Sequence, residues 1–342
     1  MCPIIVGMAP STRLVLVREL RTFDDTRQRH AARAAHGTEV RIARGAYVDE
    51  PYWAGLGARE RYVLAIRAVA ETRGTRPVLS HWSAAAIHGL PIIGPWPDRV
   101  HLTQDATNGT RSRGMVVRHS LPITAADVVE LDGLLVTSIA RTVIDLAVVV
   151  AGVSGVTSMD AALHVDRFHH RPPLVTPDEL GESWAARLPF RGHARARDII
   201  DFSVTNADSP MESASRWNMR LVGLPAPILQ QSHFDDRGFI GHTDFSWPDH
   251  GVVGEADGDL KYLDPAFRGG RSADQVVRDE KIREDRLRAL PRVVARWRWP
   301  VALSPERLRY TLSAAGLPLM PLVAFGDCSP WARLVRFEGE PF

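Results

Sequence analysis

The chain has 342 residues, of which 45% are hydrophobic and 24% are charged, and its formal net charge is only +2. This composition is typical of a globular protein of two or three domains, and it excludes a chain that binds nucleic acid through an overall basic charge. The only two cysteines, Cys2 and Cys328, exclude a cysteine-based zinc cluster and a disulfide framework.

Nothing in the sequence predicts export or a membrane anchor. The first ten residues lack the basic segment and the long apolar segment of a signal peptide. The longest apolar run, residues 146–153, is far too short to span a bilayer. We therefore expect a cytoplasmic protein with no membrane partner.

Residues 11–50 have the pattern of a small winged-helix-like DNA-binding domain. Apolar residues at 14, 16, 17 and 20 predict a first helix, and residues 25–35 predict a second, arginine-rich helix. Residues 39–48 alternate as a hairpin with Gly45 at the turn. Two helices and a basic hairpin suit DNA phosphates, although a solvated helix with a hairpin gives the same pattern. The candidate DNA-binding residues are Arg27, Arg29, Arg33, Arg41 and Arg44.

Residues 57–203 read as a second, α/β domain in which helices alternate with short strands. Four of the eight histidines in this segment lie on its predicted helices and strands, but no two of these four have metal-ligand spacing on one predicted element. We interpret them as surface histidines or as hydrogen-bonded core histidines, and the segment as a structural or interaction domain. These histidines are His81, His88, His101 and His119.

Residues 208–300 predict a third domain with the element order helix, three strands, helix, strand. This order indicates an α+β arrangement around a mixed sheet. Its second helix, within residues 274–290, is rich in arginine and would contact a DNA backbone. Residues 301–342 form a tail with one predicted helix and no assigned function.

Acidic residues are concentrated in the second and third predicted strands of this domain. If residues 248–251 form the loop between them, Trp247 pairs with Val252 and Asp244 lies opposite Glu255. Like charges in that position destabilise a strand pair unless a cation, a raised pKa or another register relieves them. Converging carboxylates are what Mg²⁺ or Mn²⁺ requires, whereas acids near turns are also common for purely structural reasons. Asp257 shares the face of Glu255.

A lysine follows these acids in a chain where all but two of the 42 basic residues are arginine. Lys261 lies just beyond the third predicted strand, where it could meet a scissile phosphate or hold the nucleophile. A bound divalent ion would lower the pKa of water and stabilise the charge of phosphodiester hydrolysis. The candidate catalytic residues are Asp244, Glu255, Asp257 and Lys261.

Two families resemble successive parts of the chain. The motifs SPMES..R, GLPAPILQ, GHTDFSWP, VVGEADGDLKY and EKIREDRLRAL resemble the PD-(D/E)XK-like domain related to very-short-patch-repair endonucleases. Upstream, VRIARGAYV, LSHWSAAAIHGLP, DRVHLT and VTSIARTVIDLA resemble AbiEi-family antitoxins of type IV toxin–antitoxin systems. The order of these motifs along one chain makes the resemblance more specific than any single motif.

The resemblance implies a restriction-endonuclease-like sheet in which Asp244 and Glu255 bind Mg²⁺ or Mn²⁺, with Glu212 as a further ligand. The endonuclease pattern has a lysine two residues after its second acid, where this sequence has Asp257, and Lys261 is the candidate replacement. Three hypotheses follow: a DNA endonuclease, a DNA-binding regulator with a degenerate nuclease fold, and an antitoxin that neutralises a cognate toxin.

Overall fold

The computed structural model describes residues 14–17, 27–73, 75–104, 112, 114–166, 171–257 and 273–320. Within these ranges the fold is mixed α/β, with three sheets, which fits the predicted α+β class. The chain divides into an N-terminal unit, Cys2–Val150 with Asp178–His193, and a C-terminal unit, Ala151–Pro177 with Ala194–Phe342. Among the described residues no helix is both long and apolar enough to cross a membrane.

The N-terminal unit begins with a three-stranded antiparallel sheet in the order β1-β3-β2. The predicted hairpin is confirmed, and Gly45 takes a φ of 81° at its turn, a conformation that favours glycine. Its elements are β1 (Val15–Leu16), α1 (Arg27–Ala35), β2 (Glu39–Ala43) and β3 (Ala46–Asp49).

The helix predicted over residues 14–20 is wrong where the structure describes it, because Val15 and Leu16 form a strand. Val15 pairs with Tyr47 and Leu16 pairs with Ala46. Apolar residues at positions 14 and 16 fit a strand period as well as a helix period, and pairing with the hairpin decides between them. Helix α1 then packs beside the hairpin through its buried His30.

A second sheet of the same unit has five strands in the order β6-β5-β4-β8-β7. Buried residues of both sheets, including Leu16, Ile42, Leu79 and Val100, belong to one hydrophobic core. The elements are α2 (Glu50–Gly55), α3 (Ala58–Glu71), β4 (Val78–Leu79), α4 (His81–His88), β5 (Val100–Gln104), β6 (Val116–Ser120), β7 (Val128–Leu131), β8 (Leu134–Thr137) and α5 (Ile139–Val149).

Three of the four histidines singled out in the sequence analysis form a partly buried cluster. The rings of His81 and His119 stack with centroids 3.6 Å apart, and His101 Nδ1 lies 2.9 Å from His119 Nε2. Burial lowers the pKa of all three, and for His101 to about 4, so the cluster is neutral at pH 7. His88 Nε2 is 2.7 Å from the carbonyl oxygen of Thr137. These contacts confirm the interpretation of hydrogen-bonded core histidines.

The C-terminal unit contains a four-stranded mixed sheet in the order β12-β11-β10-β9. Strand β11 runs parallel to β12, and the other neighbours are antiparallel. This is the predicted sequence of helix, three strands, helix and strand. The elements from here on are α6 (Gly152–Leu163), α7 (Pro177–Ala185, largely in the N-terminal unit), α8 (His193–Phe202), α9 (Pro210–Leu221), β9 (Ile228–Asp235), β10 (Gly238–Trp247), β11 (Val252–Ala256), α10 (Ala273–Ala289), β12 (Val293–Trp297), α11 (Trp299–Ala302) and α12 (Pro305–Ala314).

Helix α9 is fixed against helix α6 by a buried ion pair and by a close approach. Arg216 Nη1 lies 2.8 Å from Asp160 Oδ2, and both side chains are almost fully buried. Gly152 of α6 lies against the indole of Trp217, where a Cβ atom would come within 2.1 Å of Cζ2. The first turn of α9, which carries Glu212, is therefore held in one position.

Candidate functional site

A row of polar side chains crosses the four-stranded sheet at one level. The pair Trp247–Val252 has the predicted register, which continues through Phe245–Gly254 and brings Asp244 opposite Glu255. On the other side of β10, the register pairs formed by the residues immediately before and after Asp244 place Gln230 of β9 beside Asp244. Arg296 of β12 is the register partner of Glu255. The row therefore reads Gln, Asp, Glu, Arg from one edge strand to the other.

Glu212 joins this row from the first turn of helix α9. Its position follows from the sequence: Ser209 is the N-cap and Pro210 begins the helix, so Glu212 is the third helical residue. Ser209 Oγ donates to Glu212 Oε1 at 2.7 Å, and the backbone N–H of Asp208 donates to Oε2 at 3.0 Å. Burial, and then the charge of Asp244, raise the pKa of Glu212 to about 8.

Gln230 connects Glu212 to Asp244, and the sequence analysis missed it. Its Nε2 donates to Glu212 Oε2 at 2.9 Å and lies 3.4 Å from Asp244 Oδ1. Gln230 has a φ of 52°, a left-handed conformation that costs a residue with a Cβ atom about 1 to 2 kcal/mol. The only sequence signal was a pair of glutamines inside an otherwise strand-like segment.

Two arginines compensate the charge of Glu255. Arg283 of α10 donates through Nη2 to both carboxylate oxygens at 3.1 Å, and Arg296 Nη2 is 3.6 Å from Oε2. Burial nevertheless raises the pKa of Glu255, with a further contribution from the charge of Asp244. Arg283 thus has a partner within the sheet, as does Arg286, which pairs with Asp235, and contact between helix α10 and DNA stays a prediction.

The remaining candidate catalytic residues are less closely joined to the row. Asp257 follows β11 and is about one-third exposed, with its Oδ2 3.8 Å from Arg296 Nη1. Its backbone N–H donates to the carbonyl oxygen of Trp297. Lys261 lies outside the described residues.

The carboxylates suit a hard cation only in part. Glu212 and Asp244 converge on one amide nitrogen, and burial together with the charge of Asp244 raises the pKa of Glu212. Among the described residues, however, no three His, Cys, Asp or Glu side chains are arranged to hold a metal ion. Mg²⁺ is commonly held by one or two carboxylates and several waters, so Glu212 and Asp244 fit that requirement. Glu255 fits it less well because Arg283 covers both of its oxygens.

The predicted DNA-binding arginines lie on the first helix and hairpin of the N-terminal unit. Arg29, Arg33, Arg41 and Arg44 are exposed, and Arg33 also contacts Glu39 at 3.3 Å. Arg27 is the first residue of α1, and its side chain lies outside the described part of the structure. Helix α1 is held on the hairpin by His30, whose Nδ1 lies 2.8 Å from Glu39 Oε2 and whose ring stacks on Tyr47.

Comparisons with known proteins give relatives without a stated activity. No protein-family model matches the chain. Two Mycobacterium tuberculosis proteins are similar to it: Uncharacterized protein MT2308 of strain CDC 1551 / Oshkosh and Uncharacterized protein Rv2248 of strain ATCC 25618 / H37Rv. Each is 26% identical over 243 residues, which cover 70% of this chain and 82% of the relative.

Proposed function

We propose that the protein binds DNA and that its C-terminal unit is a metal-dependent, restriction-endonuclease-like domain. One observation carries this proposal: Glu212, Gln230, Asp244 and Glu255 meet on a mixed sheet flanked by helices, where burial and the charge of Asp244 raise the pKa of Glu212. Buried acids that share too little positive charge are typical of sites that take a cation. The resemblance to endonucleases of the very-short-patch-repair type gives the same residues the same role.

In this proposal Glu212 and Asp244 hold Mg²⁺ or Mn²⁺, and Glu255 is the further ligand. The ion, when bound, supplies a water of lowered pKa and stabilises charge on the phosphate. Gln230 orients the two carboxylates, and Arg283 neutralises Glu255. Asp257 and Lys261 remain candidates beside them. Arg27 and the exposed arginines at 29, 33, 41 and 44 would contact the DNA backbone from a winged-helix-like, AbiEi-like region.

A second function is favoured by the contacts of Glu255. Two arginines already neutralise this carboxylate, and an aspartate, Asp257, occupies the position where the endonuclease pattern has a lysine. A regulator or an antitoxin with a degenerate nuclease fold, and a cognate toxin as partner, would retain such a site without cutting DNA. Both functions require the fold, and they differ in cleavage.

A cleavage assay separates the two functions. Supercoiled plasmid and single-stranded DNA are incubated with the protein in Mg²⁺ and in Mn²⁺, beside Glu212→Gln, Glu255→Ala and the control Glu306→Gln. Glu306 lies in the exposed first turn of α12, so its replacement makes the same chemical change away from the site. We expect nicking that the first two variants lose and the control retains. Binding of DNA without nicking in either metal would support the non-catalytic function.

A further inference from the structure

The N-terminal unit contains an arginine-lined cavity that neither the predicted nuclease-like site nor the histidine cluster uses. Its volume is about 510 Å³, which lies within the roughly 300–1,000 Å³ typical of small-ligand sites. Its walls come from strand β2 and the following turn, from the C-terminal end of α3, and from the start of β6. Three separate segments of the chain thus meet around one concave surface.

Three guanidinium-bearing residues line this cavity, and none of the described residues that line it is acidic. Arg41 and Arg44 come from the hairpin, and Arg73 comes from the turn after α3. In the part of the chain that the structure describes, none of the three forms an ion pair with a carboxylate. Arg41 donates through Nε only to the carbonyl oxygen of Ala43, at 3.4 Å.

A further positive charge, that of Arg118, lies close to Arg73. Burial lowers the pKa of Arg73, and the nearby charge of Arg118 lowers it further. A guanidinium that sits near other cations without a carboxylate partner gains free energy when an anion arrives. The other lining residues include Val69 and Met115, which give the cavity an apolar wall.

We propose that this cavity is a phosphate-binding site in which Arg41, Arg44 and Arg73 contact the phosphate oxygens. Arginine presents a planar set of donors that matches phosphate, and several arginines around one anion strengthen each charge-assisted bond. The apolar wall would cover the sugar or base that carries the phosphate. Its source is a phosphodiester of DNA or a free nucleotide. The proposal shares Arg41 and Arg44 with the DNA contacts of the proposed function and rests on it to that extent, but it adds Arg73 and a bounded cavity and requires neither the carboxylates nor DNA cleavage.

Calorimetric titration of the full chain at constant ionic strength tests the proposal. The probes are inorganic pyrophosphate, deoxyadenosine monophosphate and a short DNA duplex. We expect Arg73→Ala to weaken binding of at least one probe by about tenfold or more, as loss of a charged hydrogen bond implies. Arg73→Lys should restore part of that loss, because a single charge without the fork remains. The matched control is Arg76→Ala, an exposed arginine that pairs with Glu130 and does not line the cavity.

Each outcome has a definite meaning. A loss seen with pyrophosphate or the mononucleotide assigns the cavity to a free phosphorylated ligand, and a loss confined to the duplex assigns it to the DNA backbone. The proposal is overturned if Arg73→Ala binds every probe as tightly as wild type does, or if Arg76→Ala weakens binding as much as Arg73→Ala does. Should Arg73→Ala not fold, Arg44→Ala replaces it, since Arg44 is an exposed turn residue. Failure here would count against phosphate contacts of the cavity arginines but not against cleavage, which depends on Glu212 and is measured separately.

Discussion

Replacing Glu212 by glutamine should stabilise the protein at neutral and alkaline pH. In the folded chain the pKa of Glu212 is raised to about 8 from an ordinary value of 4.5, chiefly by burial and by Asp244. Glutamine resembles the protonated carboxyl group. Its oxygen can accept from the N–H of Asp208 and from Gln230, while its amide donates to the hydroxyl of Ser209, which accepts as readily as it donates.

The magnitude follows from the protons that each state binds. Between pH 4.5 and about 8 the folded protein keeps a proton on Glu212 that the unfolded chain has released. The free energy of unfolding therefore falls as the pH rises, by about 1.4 kcal/mol for each pH unit and by about 5 kcal/mol over the window. Below pH 4.5 both states are protonated, and the effect vanishes. Glu212→Gln removes this pH dependence.

Urea denaturation from pH 5 to pH 9, with and without Mg²⁺, measures the effect. We expect wild type and Glu212→Gln to be similar near pH 5 and the variant to be more stable by several kcal/mol near pH 8. Mg²⁺ should stabilise wild type at pH 8 but not the variant, because an ion that binds only the folded state stabilises it. Glu306→Gln is the exposed control and should leave the pH slope unchanged. An unchanged slope in Glu212→Gln, or a loss of stability at pH 8, would refute the reasoning.

Three further predictions concern the surrounding structure. Burial lowers the pKa of His101 to about 4, so this residue should cost wild type about 1.4 kcal/mol of stability per pH unit as the pH falls from 6.5 towards 4. Urea denaturation of His101→Phe should show a shallower decline over the same pH range. Asp160→Asn leaves Arg216 buried without its counter-charge and should cost about 3 to 5 kcal/mol, measured by chemical denaturation against wild type. Gly152→Ala places a methyl group against the indole of Trp217 and should lower the free energy of unfolding by about 1 to 3 kcal/mol. An unchanged melting temperature would contradict this, because it would mean that helices α6 and α9 can move apart without cost.

The parts of the site that the sequence predicts are those set by local chemistry. The turn residues at 248–251 fix the register of β10 and β11, and that register alone brings Asp244 opposite Glu255. The capping pattern of Ser209 and Glu212 likewise fixes the start of α9. Both are short-range consequences of residue type, so a periodic pattern and a good cap are sufficient to find them.

The parts that were missed depend on contacts between distant residues. Nothing local in α10 distinguishes Arg283, which reaches Glu255, from Arg286, which reaches Asp235, because both lie on one charged helix. The left-handed Gln230 is equally hidden, since the strand around it reads as regular. The wrong prediction of a helix at residues 14–17 has the same origin. The spacing of the apolar residues there fits a helix or a strand, and pairing with the distant strand β3 selects the strand.

The two sides of the polar row are compensated differently, and this difference bears on which function the fold retains. Glu212 is neutralised by a proton below about pH 8, and a divalent ion can displace that proton near neutral pH. Glu255 is instead paired with Arg283 and Arg296, so an ion reaches this carboxylate only if both arginine side chains move. A metal in the proposed site is therefore expected to bind first to Glu212 and Asp244. Cleavage would then depend on whether substrate phosphate draws Arg283 away from Glu255, because that exchange alone would free the third carboxylate for the ion.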